Sequence, residues 1–259
     1  MIRLKKVLGL AVDYDEEKNL LASKEALVPQ PSVRTLHDLK PVLLSCDADS
    51  NDGMYFMYRD VHAEKDTKLL KDNYMNYDIT IIPPNRLGKE FTKTAGHYHT
   101  FVPNTNVTYP EVYEVLNGEA NYLLQKEEAG KIVDVIIVKA TKGCKVVIPP
   151  NYGHITINAS DKILIMGNLV SDKFSSVYDS ILEKKGGAYY GVAEGKKISF
   201  IPNINYKELP KLRILKPKFY PKFGLSKSLP MYKSFIKNPE KFRFLNYPHE
   251  YMKEFSEVL

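Results

Sequence analysis

The sequence predicts an all-β fold with minor helices, built as an antiparallel sandwich or barrel. Two observations carry this. Between about Tyr77 and Val170, eight short segments rich in Val, Ile, Thr and Tyr follow one another with turn residues between them. No long helical periodicity interrupts the series. The background is that of an ordinary globular chain: 259 residues, 44% hydrophobic and 26% charged, which excludes disordered, collagenous and membrane-embedded classes.

Taken in order, residues 1–76 read as an N-terminal arm of one or two strands and short helices. Asp13 to Ala26 suggests a helix or turn, LVPQPSVRTLHDLKPVLL runs extended into a short helix, and DTKLLKDN is a further helical turn. Residues 77–200 then hold the barrel: YDITIIPP, EFTKTAGHYHTF, EVYEVL, EANYLLQK, DVIIVKA, CKVVIPP, HITIN and KILIMGNLV. Asn117-Gly118, flanked by apolar alternation, predicts a hairpin that sets the register of its strands. Residues 201–259 form a basic extension rich in Pro and aromatic residues. From Tyr206 onward it holds 6 of the 16 prolines and 11 of the 29 Phe and Tyr side chains, so extended pieces and helical turns wrapped over the barrel or a partner subunit are expected.

The net charge of +6 is confined to that extension, where 12 basic side chains face 5 acidic ones; the preceding 205 residues hold 25 and 26. A global attraction to nucleic acid is therefore not implied, and no nucleic-acid-binding fold accompanies the basic tail. Cys46 and Cys144 are far apart and fit no metal or redox spacing, which predicts two unpaired thiols in a reducing cytoplasm. The apolar run near the start is six residues long and meets Asp13, too short for a signal peptide core or a membrane span. His37, His62 and His249 stand among charged residues and are expected at the surface. Cys144 is expected inside a strand, and Glu127-Glu128 in a hairpin loop.

The chemistry concentrates on three histidines and a glutamate. His97 and His99 in GHYH are two apart, so on a strand both rings share one face and Tyr98 takes the other. Glu111 opens EVYEVL with Tyr113 and Val115 on its face and Glu114 opposite, while His154 opens HITIN. Three imidazoles and a carboxylate suit a borderline divalent metal such as iron(II), manganese, nickel or zinc.

These two blocks resemble the paired motifs of the cupin superfamily: His97, His99, Glu111 and Gly118 match the first, Gly143, Pro149, His154 and Asn158 the second. Asn151 stands where the second block has its inner glycine. Eleven residues separate His99 from Glu111 where three or four are usual, and Phe91 replaces a glycine. With PSVRTLHDL, ITIIPPNRLGKEFTKTAGHYH, EVYEVLNGEANYLLQ and IPPNYGHITIN, residues 30 to 170 are similar to the archaeal, metal-dependent cupin type of glucose-6-phosphate isomerase.

The resemblance implies a cupin-like barrel or jelly roll and interconversion of glucose 6-phosphate and fructose 6-phosphate. His97, His99, Glu111 and His154 would hold one divalent ion, iron(II) first, and Glu111 would be the catalytic base. Thr80, Thr94, Gly96, Tyr113 and Tyr178 would bind the sugar phosphate. Where the family has a tyrosine and a histidine, this chain has Val170 and Ser176, a change for which Asn168 or Lys173 could compensate. The family's habit implies a homodimer. A sugar-phosphate epimerase, an iron dioxygenase and a non-catalytic phosphosugar binder remain open on the same scaffold.

Overall fold

A computed structural model describes residues 1–45, 50–195 and 197–259. Cys46 lies outside the described residues.

Two antiparallel sheets face each other. The larger has six strands in the spatial order Lys145–Ile148, Glu111–Asn117, Leu164–Ser171, Met75–Ile82, Gly53–Tyr58 and Ser32–Thr35. The smaller runs Tyr152–Ile157, Glu119–Glu128, Lys131–Thr141 and Arg213–Leu215, the last strand joining parallel to its neighbour. Between them lie Tyr113, Val115, Tyr122, Leu124, Ile136, Val138, Val146 and Met166. The fold is the antiparallel sandwich that the succession of short strands predicts, in keeping with the cupin-like fold that the motif resemblance implies.

The outer faces are covered too. Tyr77, Ile79, Ile81, Val112, Leu116, Ile165 and Leu169 project from the back of the six-stranded sheet into a core shared with Leu4, Leu8 and Tyr14 of the N-terminal arm. Met231, Tyr232, Phe235, Phe242 and Phe244 of the tail complete that core. Sealing on both sides leaves every residue of Leu164–Ser171 buried, so this strand reads as a mostly apolar run, interrupted by Asn168, rather than an alternation.

Several expectations need correction. Of the helix or turn expected over Asp13–Ala26, the turn is present and the helix is not: Val12–Asp15 and Leu20–Ser23 form a hairpin, because Val12, Tyr14 and Leu21 alternate inward while Asp15 Oδ1 accepts from the Glu17 and Lys18 amides in the turn. Asn117-Gly118 is not a hairpin. Glu111–Asn117 pairs within the large sheet and Glu119–Glu128 within the small one, so the chain changes sheets at Gly118. Gly118 has φ of 78°, and a β-carbon there would press on the Ile163 carbonyl, while Asn117 Nδ2 donates to that same oxygen. The true hairpin turns at Ala129-Gly130, both with positive φ, so Glu127 and Glu128 end a strand instead of forming the loop.

His62 is buried, its ring bonded to the Asp60 carbonyl and the Thr67 hydroxyl, whereas His37 and His249 are exposed. Cys144 lies half-buried in the turn before Lys145–Ile148.

Candidate metal centre and sugar pocket

The six-stranded sheet supplies the carboxylate. Glu111 pairs with Ile148 on one side and Val170 on the other, a register that turns Glu111, Tyr113 and Val115 inward. His99 comes from the two-residue strand Tyr98–His99, and His97 bridges to His154 across the mouth of the small sheet. One ligand atom from each of His97, His99, Glu111 and His154 lies within 4.8 Å of all the others.

Orientation is fixed at the next layer. His99 Nδ1 lies 2.8 Å from the Tyr109 carbonyl, which makes it the donor and leaves Nε2 facing the centre, 3.2 Å from His97 Nε2. The enlarged loop that carries Tyr109 is itself tied down. The Thr108 amide donates to Asn151 Oδ1 at 2.9 Å, and the Asn151 amide donates to Thr108 Oγ1 at 2.6 Å. Two departures from the family pattern, the long spacer and Asn151, are thus one feature.

Glu111 is held by one oxygen. Asn168 Nδ2 donates to Oε1 at 2.6 Å, whereas Oε2 is buried 3.2 Å from His154 Nε2 and 3.5 Å from His99 Nε2 and accepts no hydrogen bond among the described residues. A buried carboxylate oxygen without a donor is costly unless a cation serves it. Burial opposes the Glu111 charge, but the flanking His154 and His99 hold its carboxyl well below the usual range. Burial, with His154 and His99 adding to it, pushes His97 well down, and burial pushes His154 down against the pull of Glu111. Three imidazoles converging on a carboxylate oxygen are the donor set that a divalent ion takes, so the residues fit a metal.

Beside this cluster opens a cavity lined by Thr80, Thr94, Gly96, Tyr113 and Tyr178, all five of the residues expected at the sugar phosphate. Tyr113 OH reaches His154 Nε2 at 3.2 Å, and burial, then the Glu111 charge, push its phenol well up, so it stays protonated. Thr94 Oγ1 accepts from the Thr156 amide, and the Tyr55 hydroxyl accepts from the Ala95 amide at 3.3 Å. Tyr178 lies 5.6 Å from His97, ring to ring, and 5.7 Å from the Arg34 guanidinium. Ser176 lines the cavity; Val170 is buried beside Glu111. Asn168 is inside, but Lys173 is not: its ammonium lies over the Tyr74 ring at 3.5 Å.

Tyr55, Met57, Arg59 and Phe174 also line the cavity and escape the sequence reading, as does Asp78, the partner of Arg59. The period of two in Tyr55, Met57 and Arg59 was the available signal. Phe174 packs on His99 at 4.4 Å between ring centres.

Comparison with known proteins identifies the family. The family described as glucose-6-phosphate isomerase matches residues 33–207. The chain belongs to that family. Glucose-6-phosphate isomerase of Thermococcus litoralis is 30% identical over 181 residues, 68% of this chain and 87% of that protein. The enzyme of Thermococcus onnurineus is 28% identical over 202 residues, 76% and 96% of the two chains, and that of Pyrococcus horikoshii 26% over 208, 78% and 98%. Among solved structures, a Bacillus subtilis oxalate decarboxylase mutant aligns with 50% of this chain at 16% identity and a TM-score of 0.34, spanning about a third of its own length (30%).

Proposed function

We propose that the protein interconverts glucose 6-phosphate and fructose 6-phosphate, with Glu111 carrying the proton between C1 and C2. This glucose-6-phosphate isomerase family member is an aldose-ketose isomerase, and a carbon acid beside a carbonyl needs both a base and stabilisation of the enediolate. A divalent ion bound by His97, His99, Glu111 and His154 would supply Lewis-acid stabilisation of the developing negative charge. From the aldose, the C2–H bond breaks; its proton passes to Glu111, and its electron pair forms the C1=C2 bond as O1 takes up charge. Return of the proton to C1, with the O2 hydroxyl proton passing to O1, gives the ketose. Asn168 holds Glu111 by Oε1, and Tyr113, protonated, donates toward the centre. Thr80, Thr94, Gly96 and Tyr178 hold the phosphorylated sugar.

One observation carries the reading: Glu111 Oε2, buried and without a hydrogen bond among the described residues, faces His99 and His154 beside a cavity lined with hydroxyls. A dioxygenase would favour an apolar pocket instead. The reading takes iron(II) as the ion, the cytoplasm as the location and a homodimer as the assembly; among the described residues no helix is long and apolar enough to cross a membrane. The test is conversion of fructose 6-phosphate by chelator-stripped protein to which iron(II), manganese, nickel or zinc is restored singly. Turnover that returns with a metal supports the isomerase; metal-loaded protein without turnover sinks it.

A further inference from the structure

The inner face of the six-stranded sheet carries a row of polar side chains next to the row that holds Glu111. Asp78 pairs with Asn168, and Asn168 with Tyr113. Arg59, directly after the strand Gly53–Tyr58, continues the row, because Tyr58 pairs with Ile79. The next row is Met57, Thr80, Met166 and Val115. Arg59 Nη1 donates to Asp78 Oδ2 at 2.6 Å, and the Asp60 amide donates to Asp78 Oδ1 at 2.8 Å, so a buried carboxylate clamps the guanidinium over the middle of the sheet.

That position is next to the chemistry. Asp78 lies one strand from Asn168, roughly 5 Å, and the Asn168 amide bonds Glu111. Tyr55, whose hydroxyl marks the Thr94–Gly96 end, is four residues back from Arg59, roughly 13 Å along the strand. Along this strand Arg59 lies at the row that holds Asn168 and Tyr113 beside Glu111, while Tyr55 lies toward Thr94, Gly96 and Tyr178, an end with a charge of its own in the Arg34 guanidinium, 5.7 Å from the Tyr178 ring. If Arg59 served only to neutralise Asp78, it could lie flat and covered. Instead the side chain is 48% exposed, lines the cavity, and sets its Nη2 against the Met57 thioether at 3.3 Å, a weak acceptor for a strong donor.

We propose that Arg59 is an oxyanion-binding residue: its guanidinium donates to the negatively charged oxygen that forms on the open-chain sugar when Glu111 takes the proton. Asp78 is its positioning residue. The inference rests on the isomerase reading and deepens it, assigning a second positive charge to the reacting end and leaving the phosphate to the other. A group aimed at charge that exists only in the transition state should weigh on kcat more than on KM.

The test compares two ligands sharing one phosphate, on manganese-loaded protein, by calorimetry. 6-Phosphogluconate carries a carboxylate where the enediolate charge develops; glucitol 6-phosphate carries a neutral hydroxyl. The variant R59M/D78N removes the guanidinium without stranding the buried acid, and R59K keeps a charge without the fork. For R59M/D78N we expect affinity for 6-phosphogluconate to fall about 10-fold or more, glucitol 6-phosphate to change less than about 2-fold, and kcat to fall about 10²-fold with KM nearly constant. R59K should lie between. Equal losses for both ligands would mean that Arg59 holds the phosphate, and no loss for either that it serves Asp78 alone; both overturn the proposal. Wild-type protein that binds neither ligand and shows no turnover would overturn the isomerase reading instead, so the two failures are separable. If R59M/D78N does not fold, R59K against wild type gives the same ligand comparison.

Discussion

Glu111 and Glu114 sit three residues apart on one strand, both nearly fully buried, and meet opposite fates. Glu114 faces the back of the sheet, where Lys145 Nζ lies 2.8 Å from one oxygen and the Met231 amide donates to the other at 2.7 Å. Each oxygen has a partner, and the group ties the tail helix Met231–Lys237 to the barrel. Glu111 faces the interior with one oxygen bonded and the other open toward the histidines. Burial pushes the Glu114 carboxyl up against the pull of Lys145, while the histidines beside Glu111 hold its carboxyl down despite burial. A buried acid that is satisfied on both oxygens serves the fold. One left open at a cluster of bases serves a ligand.

The largest expected effect breaks the inner member of this pair. Glu111→Gln keeps the shape and the Asn168 contact but removes the base, so turnover of fructose 6-phosphate should fall about 10³-fold or more, with the melting temperature equal to or above that of wild type. A coupled assay alongside a thermal melt reads both. Activity retained within a few-fold would show that the proton travels by another group.

Glu114→Ala breaks the outer member. It strands the Lys145 ammonium and frees the start of the tail helix, at a cost of about 3–5 kcal/mol in chemical denaturation, with turnover per folded molecule unchanged within about 2-fold. Loss of activity without loss of stability would contradict the division between the two faces.

Asn168→Leu sharpens the comparison by releasing Oε1 of Glu111 while preserving packing volume. Without the amide the carboxylate can rotate, and kcat together with metal affinity should drop about 10- to 100-fold. Equilibrium dialysis against manganese separates this from a packing defect, which would lower the melting temperature and leave metal binding intact.

Half of this architecture is legible in the sequence. Local spacing reports local geometry: GHYH puts His97 and His99 on one face, EVYEV puts Glu111 and Tyr113 on one face, and both arrangements follow from the pleat alone. What is not legible depends on partners distant in the chain. Asn117-Gly118 has hairpin chemistry, but the strands it joins find partners in different sheets. Arg59 and Asp78 become neighbours of Asn168 only through pairing of Gly53–Tyr58 with Met75–Ile82 and of that strand with Leu164–Ser171. His62 reads as a surface residue because its neighbours in sequence are charged, while its neighbours in space are Thr67 and the Asp60 carbonyl. The double burial of the large sheet likewise erases the alternation that would have revealed its inner face.

A third carboxylate, Asp134, gives the smallest effect. It anchors the tail as Glu114 does, but near the surface, with Arg213 Nη2 at 2.6 Å and the Tyr152 hydroxyl donating at 2.8 Å. Partial burial opposes its charge, yet these donors hold the carboxyl below its usual value. A depressed folded pKa contributes stability that is present above the unfolded value, about 3.9, and lost as pH falls through the folded one. Arg213 is 44% exposed, so solvent screening limits the pair to about 1 kcal/mol or less. Arg213→Met should therefore lower stability by that amount at neutral pH, and the gap to wild type should close as pH drops below about 4 in urea titrations. A gap that stays constant into acid would mean that the tail strand is held by its ladder to Ile136–Val138 and the apolar contacts around it, with the charge of Asp134 contributing nothing.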